Sequence, residues 1–360
     1  MRRLHFHPGG HPGRADVQGR RTTTWAAAAA LALAVTGCGA VNTTPSPPDS
    51  EGAPTSSESP SPSASSRPIA AVEPADTVSW GGPAWNIIAG EDALYVQSEG
   101  QIARIDPDTQ VATLLVDGLS AAFGLNAGFG SVWASREHPD RGWIERFDAA
   151  SGAKTAEIEV GLLPVESITA FGSIWVPNDH SGTVSRIDPA MDSVLQEIEV
   201  SRPGGGGPVS LAAGANMIWS VSASEDTITQ IDPASNEVVG ELPLSNRPCH
   251  VGYASGRVWA AYCDLPRVMV FDAISGEQVG ELDGRPLAID GGPAWLATYH
   301  HGDDDFLLSE IDLATLEVGE TVSVAARPHS FAIGFGSVWV ATGEDGRIHR
   351  YPLGELPGTQ

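Results

Sequence analysis

Gly172-Ser173-Ile174-Trp175-Val176-Pro177, followed by Thr183-Val184-Ser185-Arg186-Ile187-Asp188-Pro189, is the stretch that decides the fold. It holds two short apolar runs rich in β-branched residues, parted by the polar Asn178-Asp179-His180-Ser181-Gly182. That pattern reads as two antiparallel strands and a turn. The second run stops at Asp-Pro, where the carboxylate can accept backbone N–H groups and the proline ring fixes φ. Ser167 to Phe171 before and Val194 to Val200 after read as two further strands, so the unit is a four-stranded antiparallel sheet.

The unit recurs. Its aromatic second strand returns as Ala93-Leu94-Tyr95-Val96, Ser131-Val132-Trp133-Ala134, Met217-Ile218-Trp219-Ser220, Arg257-Val258-Trp259-Ala260, Pro293-Ala294-Trp295-Leu296 and Ser337-Val338-Trp339-Val340. Short strands repeating every 40 residues or so predict an all-β, seven-bladed β-propeller of four-stranded antiparallel blades. The third strand ends in Asp106, Asp148, Asp188, Asp232, Asp272 or Asp312. An aspartate repeated at one position of six units is a turn former rather than a metal ligand. The last unit runs out of chain after three strands, while Asp76 to Trp80 precede the first unit as a strand without one. Donated to the seventh sheet, that segment (about 76-80) closes the ring and removes its open edge. The repeated aromatics then pack between blades as core.

The first seventy residues differ in kind. Arg20-Arg21 precede an alanine- and leucine-rich run from Trp25 to Val35 that ends in Val35-Thr36-Gly37-Cys38. The run is shorter than the roughly 20 residues a membrane-spanning helix needs and reads as a signal peptide, residues 1–37. Its ending resembles the lipobox of bacterial lipoproteins, which implies lipidation of Cys38. From Asn42 to Arg67 proline, serine, threonine, glycine and glutamate dominate, so residues 38–75 are expected to be a disordered tether. Residues 76–360 are expected to form the propeller. The localisation that follows is export, with the lipid on Cys38 anchoring the chain to the outer side of the cytoplasmic membrane. In that oxidising setting Cys249 and Cys263, which bracket a predicted hairpin, are a candidate disulfide.

The formal net charge is −25, and removing the arginine-rich leader makes it more negative. The sole lysine is Lys154. Such a chain repels phosphate backbones, which excludes nucleic acid as a partner and leaves the lipid as the only membrane contact. A monomer is expected.

The Ile-Asp-Pro turns, the Gly-Ser-Val-Trp-Val strand and the prolines before the first strands resemble two groups of bacterial propellers. One is the YncE-like, YVTN-repeat family; the other is the virginiamycin B lyase (streptogramin lyase) family. The second resemblance implies a carbon–oxygen lyase that opens a cyclic depsipeptide with magnesium and a histidine. The lyases use a Glu-x-His arrangement, and this sequence contains none, so no catalytic residue carries over.

Antiparallel blades gather the second-to-third and fourth-to-first connections on one face, the expected ligand face. Arg-Pro precedes the innermost strand at Arg202, Arg247, Arg285 and Arg327, a set suited to a carboxylate or phosphate group. His250, His329 and His180 are the candidate acid–base groups of the lyase alternative. His300, His301 and Asp303 are the candidate metal ligands. The reading favours a binding module for a small anionic ligand or an envelope protein, with no cofactor. The metal-dependent lyase or hydrolase, with magnesium, is the alternative.

Overall fold

The computed structural model describes residues 70–119, 122–262, 264–284, 294–299, 306–324 and 328–356. Cys38, Cys263, Arg285, Arg327, His300, His301 and Asp303 therefore lie outside the described residues.

The strands form seven four-stranded sheets arranged as a ring of blades. Blade 1 holds Asn86–Ala89, Leu94–Ser98, Gln101–Ile105 and Ala112–Asp117. Blade 2 holds Ala122–Gly128, Ser131–His138, Arg141–Asp148 and Lys154–Val160. Blade 3 holds Ile168–Ala170, Ser173–Asn178, Thr183–Asp188 and Ser193–Glu199. Blade 4 holds Pro208–Gly214, Met217–Ser222, Thr227–Asp232 and Glu237–Pro243. Blade 5 holds Pro248–Ala254, Arg257–Tyr262, Arg267–Asp272 and Gln278–Asp283. Each of these five is antiparallel throughout, with the first-named strand innermost.

The last two sheets borrow from the N-terminus. In blade 7 the order runs from Ser330–Gly334 through Ser337–Ala341 and Arg347–Pro352 to Asp76–Ser79, which pairs antiparallel with the third strand at Thr77 with His349. The ring closes as the sequence predicts. Blade 6 holds Ala294–Tyr299, Phe306–Ile311 and Val318–Val324, and Ala70–Val72 lies parallel against the last of these. So pairing begins before residue 76, and one outer strand departs from the antiparallel expectation. No described helix is long and apolar enough to cross a membrane.

The repeated aromatics are core. Trp133, Trp175, Trp219, Trp259, Trp339 and Tyr95 are fully buried. Four indoles donate to the carbonyl at the end of the innermost strand of their own blade, as Trp175 Nε1 does to Ala170 O at 3.0 Å. Burying a side chain of this size supplies about 3 kcal/mol or more, which a repeated fold collects once per blade. The repeated aspartates are turn formers: Asp106 Oδ1 accepts the N–H groups of Asp108 and Thr109, and Asp148, Asp188, Asp232, Asp272 and Asp312 do the same in their turns. These bonds favour the ionised carboxylate and hold Asp106, Asp148, Asp272 and Asp312 below the usual range.

A second device joins the blades. Arg186 lies over the Trp175 ring at 4.8 Å and reaches into the next blade, donating to Pro233 O at 2.5 Å and Asn236 Oδ1 at 2.7 Å. Arg146 does the same over Trp133, reaching Pro189 O and Asp192. Arg350 over Trp339 reaches Asp76 of the closing strand, which also accepts a bond from Gln110 of blade 1. Each clasp combines a cation–π contact with charge-assisted bonds to a neighbouring turn. Arg186→Ala is expected to lower the unfolding free energy by about 2 kcal/mol, read from the denaturant midpoint.

Candidate functional site: the central lumen and its mouth

In the six blades other than blade 6 the innermost strand is an edge strand, so one row of its backbone N–H and C=O groups has no sheet partner. In a ring these free edges turn inward. They enclose a space of about 530 Å³, within the range of small-molecule sites. Its wall is mixed: Ile87, Leu125, Leu211 and Val251 lie along it as buried residues, Ile168 and Ile333 are partly exposed, and Asn126, Glu166, Thr169, Ser210 and Tyr253 are the polar members.

Several of those polar groups serve neighbouring strands. Asn126 Nδ2 donates to Thr169 Oγ1 at 2.9 Å, Val251 N to Ser210 Oγ at 3.4 Å, and Ile87 N to Ser330 Oγ at 3.3 Å. Tyr253 lies flat where a Cβ on Gly214 would sit 1.9 Å from its ring, so that position admits only glycine.

Glu166 is different. It stands just before the innermost strand of blade 3, where its backbone presses on Gly124 of blade 2, and its side chain opens to the lumen. No hydrogen bond or ion pair holds it among the described residues. It is exposed to the lumen yet ringed by protein, and the water so displaced pushes its carboxyl up to about 7. His250 directly precedes the lumen-lining Val251, and desolvation lowers its pKa.

The other predicted residues lie in the fourth-to-first and second-to-third connections, and Arg202 lines a separate groove with Glu199, Thr229 and Glu241. Arg202 is 89% exposed and turns back on Glu225, with its guanidinium 3.7 Å from that carboxylate and its backbone N–H 3.3 Å from it. Arg247, also exposed, donates its backbone N–H to Asp226 Oδ1 at 2.7 Å. Both thus sit beside an acidic neighbour from blade 4. His329 uses Nδ1 to donate to Trp85 O at 2.6 Å and meets the Trp85 ring edge-on at 4.8 Å. His180 stands 3.9 Å from Asp179 and lies over Gly205 in the glycine-rich loop before blade 4. The three histidines are on separate blades, and none bonds another. Among the described residues no three metal-ligating side chains come together. Cys249 is disulfide-bonded, at the irregular start of the innermost strand of blade 5.

In blade 2 the polar second-to-third segment is strand up to a two-residue turn, His138 pairing with Arg141. Arg136 pairs with Glu145 and Glu157, and Lys154 joins both carboxylates. The opposite face carries exposed apolar groups: Phe129, Phe171 and Phe335 each take a left-handed turn position before a glycine, and Ile274 is 93% exposed.

No protein-family pattern matches the chain. Nor does any curated protein match it in sequence. Solved structures do. A chain of the mitotic checkpoint complex is similar with a TM-score of 0.61 at 11% identity, covering 78% of this chain and 94% of that one. A chain of hydrazine synthase from Kuenenia stuttgartiensis has a TM-score of 0.59 at 14% identity, covering 76% and 97%. The WD40 propeller domain of Doa1 has a TM-score of 0.58 at 11% identity, covering 77% and 95%. At such identities the likeness is one of fold, and the chain is a seven-bladed β-propeller.

Proposed function

We propose that this chain is a cell-envelope lipoprotein of YncE-like type, exported and anchored through Cys38, whose propeller binds a ligand or an envelope protein at the mouth described above. The observation that carries the reading is the lumen of about 530 Å³, lined by innermost strands that Arg202, Arg247 and His329 precede, one of them with His250 near its start. Propellers among the similar solved structures belong to a protein assembly in one case and a WD40 domain in another, which supports a protein-binding role. The arginines suit a carboxylate or phosphate on the incoming partner. A Cys249–Cys263 bridge would hold the first hairpin of blade 5 beside that mouth.

A thermal-shift screen of the purified protein against anionic metabolites, cell-wall fragments and divalent cations tests this. The expected result is a raised melting temperature with an anionic compound, lost in Arg202→Ala and Arg247→Ala. A shift given only by divalent cations, with turnover of a cyclic depsipeptide that disappears in His250→Ala, would favour the metal-dependent lyase instead. No shift from any compound, together with no crosslinked partner in intact envelopes, would count against a binding role.

A further inference from the structure

We infer that the groove between blades 3 and 4 is a second binding site, which takes a small amine bearing two or more ammonium groups on an alkyl chain. The groove has a volume of about 300 Å³ and stands apart from the lumen, with which it shares no lining residue. Three carboxylates line it: Glu199 on the outer strand of blade 3, Glu241 on the outer strand of blade 4, and Glu225 in the turn between the second and third strands of blade 4. Of the three only Glu225 has an ion-pair partner among the described residues, the guanidinium of Arg202 at 3.7 Å. The carboxylates do not converge on one point, since among the described residues no three metal-ligating side chains come together. They suit a ligand whose own charges are spread along a chain.

The second observation is a buried hydroxyl with nothing to bond. Leu211, Ser220, Thr229 and Glu241 stand opposite one another across the four strands of blade 4, so their side chains share one face. That face looks onto blade 3: Leu211 packs there with Trp175, Ile198 and Val200, and Thr229 Oγ1 reaches Val200 O at 3.5 Å. Thr229 and Glu241 line the groove, and Ser220 is next in the row behind them. Ser220 is 1% exposed, and its Oγ has no hydrogen-bond partner among the described residues. The other six blades place Val96, Ala134, Val176, Ala260, Leu296 and Val340 at this position of the second strand. A hydroxyl buried without a partner is costly where an apolar group would pack, so its presence points to a partner that enters from the groove. Ser201 Oγ, in the groove lining, is also buried and unpaired. Ammonium N–H groups can donate to all of these oxygens, and the exposed Val238 offers its methyl groups to the chain between the charges.

Arg202 gives the inference a signature opposite in sign to that of the function proposed above. Its exposed guanidinium is the groove's own cation beside Glu225, so an incoming ammonium competes with it. Arg202→Ala should therefore tighten amine binding about two- to fivefold, whereas an anionic ligand loses a contact by the same change.

The experiment is a calorimetric titration of the purified protein with spermidine, and separately with magnesium and with butyrate, at one ionic strength. The inference expects spermidine to saturate one site, to bind about tenfold more weakly in Glu241→Gln and in Ser220→Val, and to bind more tightly in Arg202→Ala. Glu166→Gln, which removes a carboxylate from the lumen, should leave it unchanged. Ser220→Val installs a residue that other blades carry, and Glu241 is exposed, so neither variant threatens the fold. Spermidine that does not bind, or binds equally in both groove variants, overturns the inference. So does magnesium that fills the same site with equal affinity, the mark of diffuse attraction to an acidic protein. Butyrate binding that is lost in Arg202→Ala while spermidine fails leaves the proposed function standing without this groove. Spermidine binding as described beside an empty anion screen does the reverse.

Discussion

Val78→Asp is expected to cost about 3 to 5 kcal/mol of unfolding free energy and to open the ring at its seam. Val78 is the buried residue of the closing strand Asp76–Ser79. It packs in one cluster with Ala84, Ile87, Trp339 and Ile348, which belong to blades 1 and 7 and the segment between them. An aspartate there is a carboxylate without a partner in an apolar setting, so it must either stay charged at high cost or take up a proton. The bonds of Asp76 to Arg350 and Gln110 depend on the same strand staying in register. Equilibrium denaturation should show the loss. A midpoint within 0.5 kcal/mol of the parent would mean that the closing strand is dispensable.

Trp175→Ala is expected to cost about 3 to 5 kcal/mol, the usual result of replacing a fully buried indole by a methyl group. Beyond the cavity, the change strips Ala170 O of its donor and leaves the Arg186 guanidinium without the ring beneath it. Because Arg186 and Trp175 form one clasp, the double variant Trp175→Ala with Arg186→Ala should be more stable than the two single losses added. Denaturant midpoints of the four proteins measure this. Strict additivity would show that the stacking contact carries no energy of its own.

Much of the fold is legible in the sequence because its signals are local and repeated. Trp175 and its counterparts announce a buried second strand, the Ile-Asp-Pro text announces a turn, and the missing strand at the C-terminus points back to Asp76. The arginine clasp has a sequence signal too: Arg146 and Arg186 occupy the residue before the apolar member of that text. Its meaning is hidden, because the partners Asp192 and Asn236 belong to the following repeat. Ala70–Val72 has no repeat to match, so its parallel pairing is visible only in the folded chain.

The site is less legible for a related reason. Leu163-Pro164-Val165-Glu166-Ser167 reads as an ordinary polar connection, and only closure of the ring turns Glu166 toward the centre. Arg202 and Arg247 are prominent in the sequence, yet each lies beside an acid, Glu225 and Asp226, from a loop that spacing does not bring to mind.

The claim that the mouth and lumen form the binding face is tested most directly by hydrogen exchange, with and without the most stabilising compound of the thermal screen. The account predicts slowed exchange in the innermost strands Ile168–Ala170, Pro208–Gly214 and Pro248–Ala254 and in the loops at their starts. Slowed exchange confined to the opposite turns, around Phe129, Phe171 and Phe335, would contradict it and move the binding face to the other side of the ring.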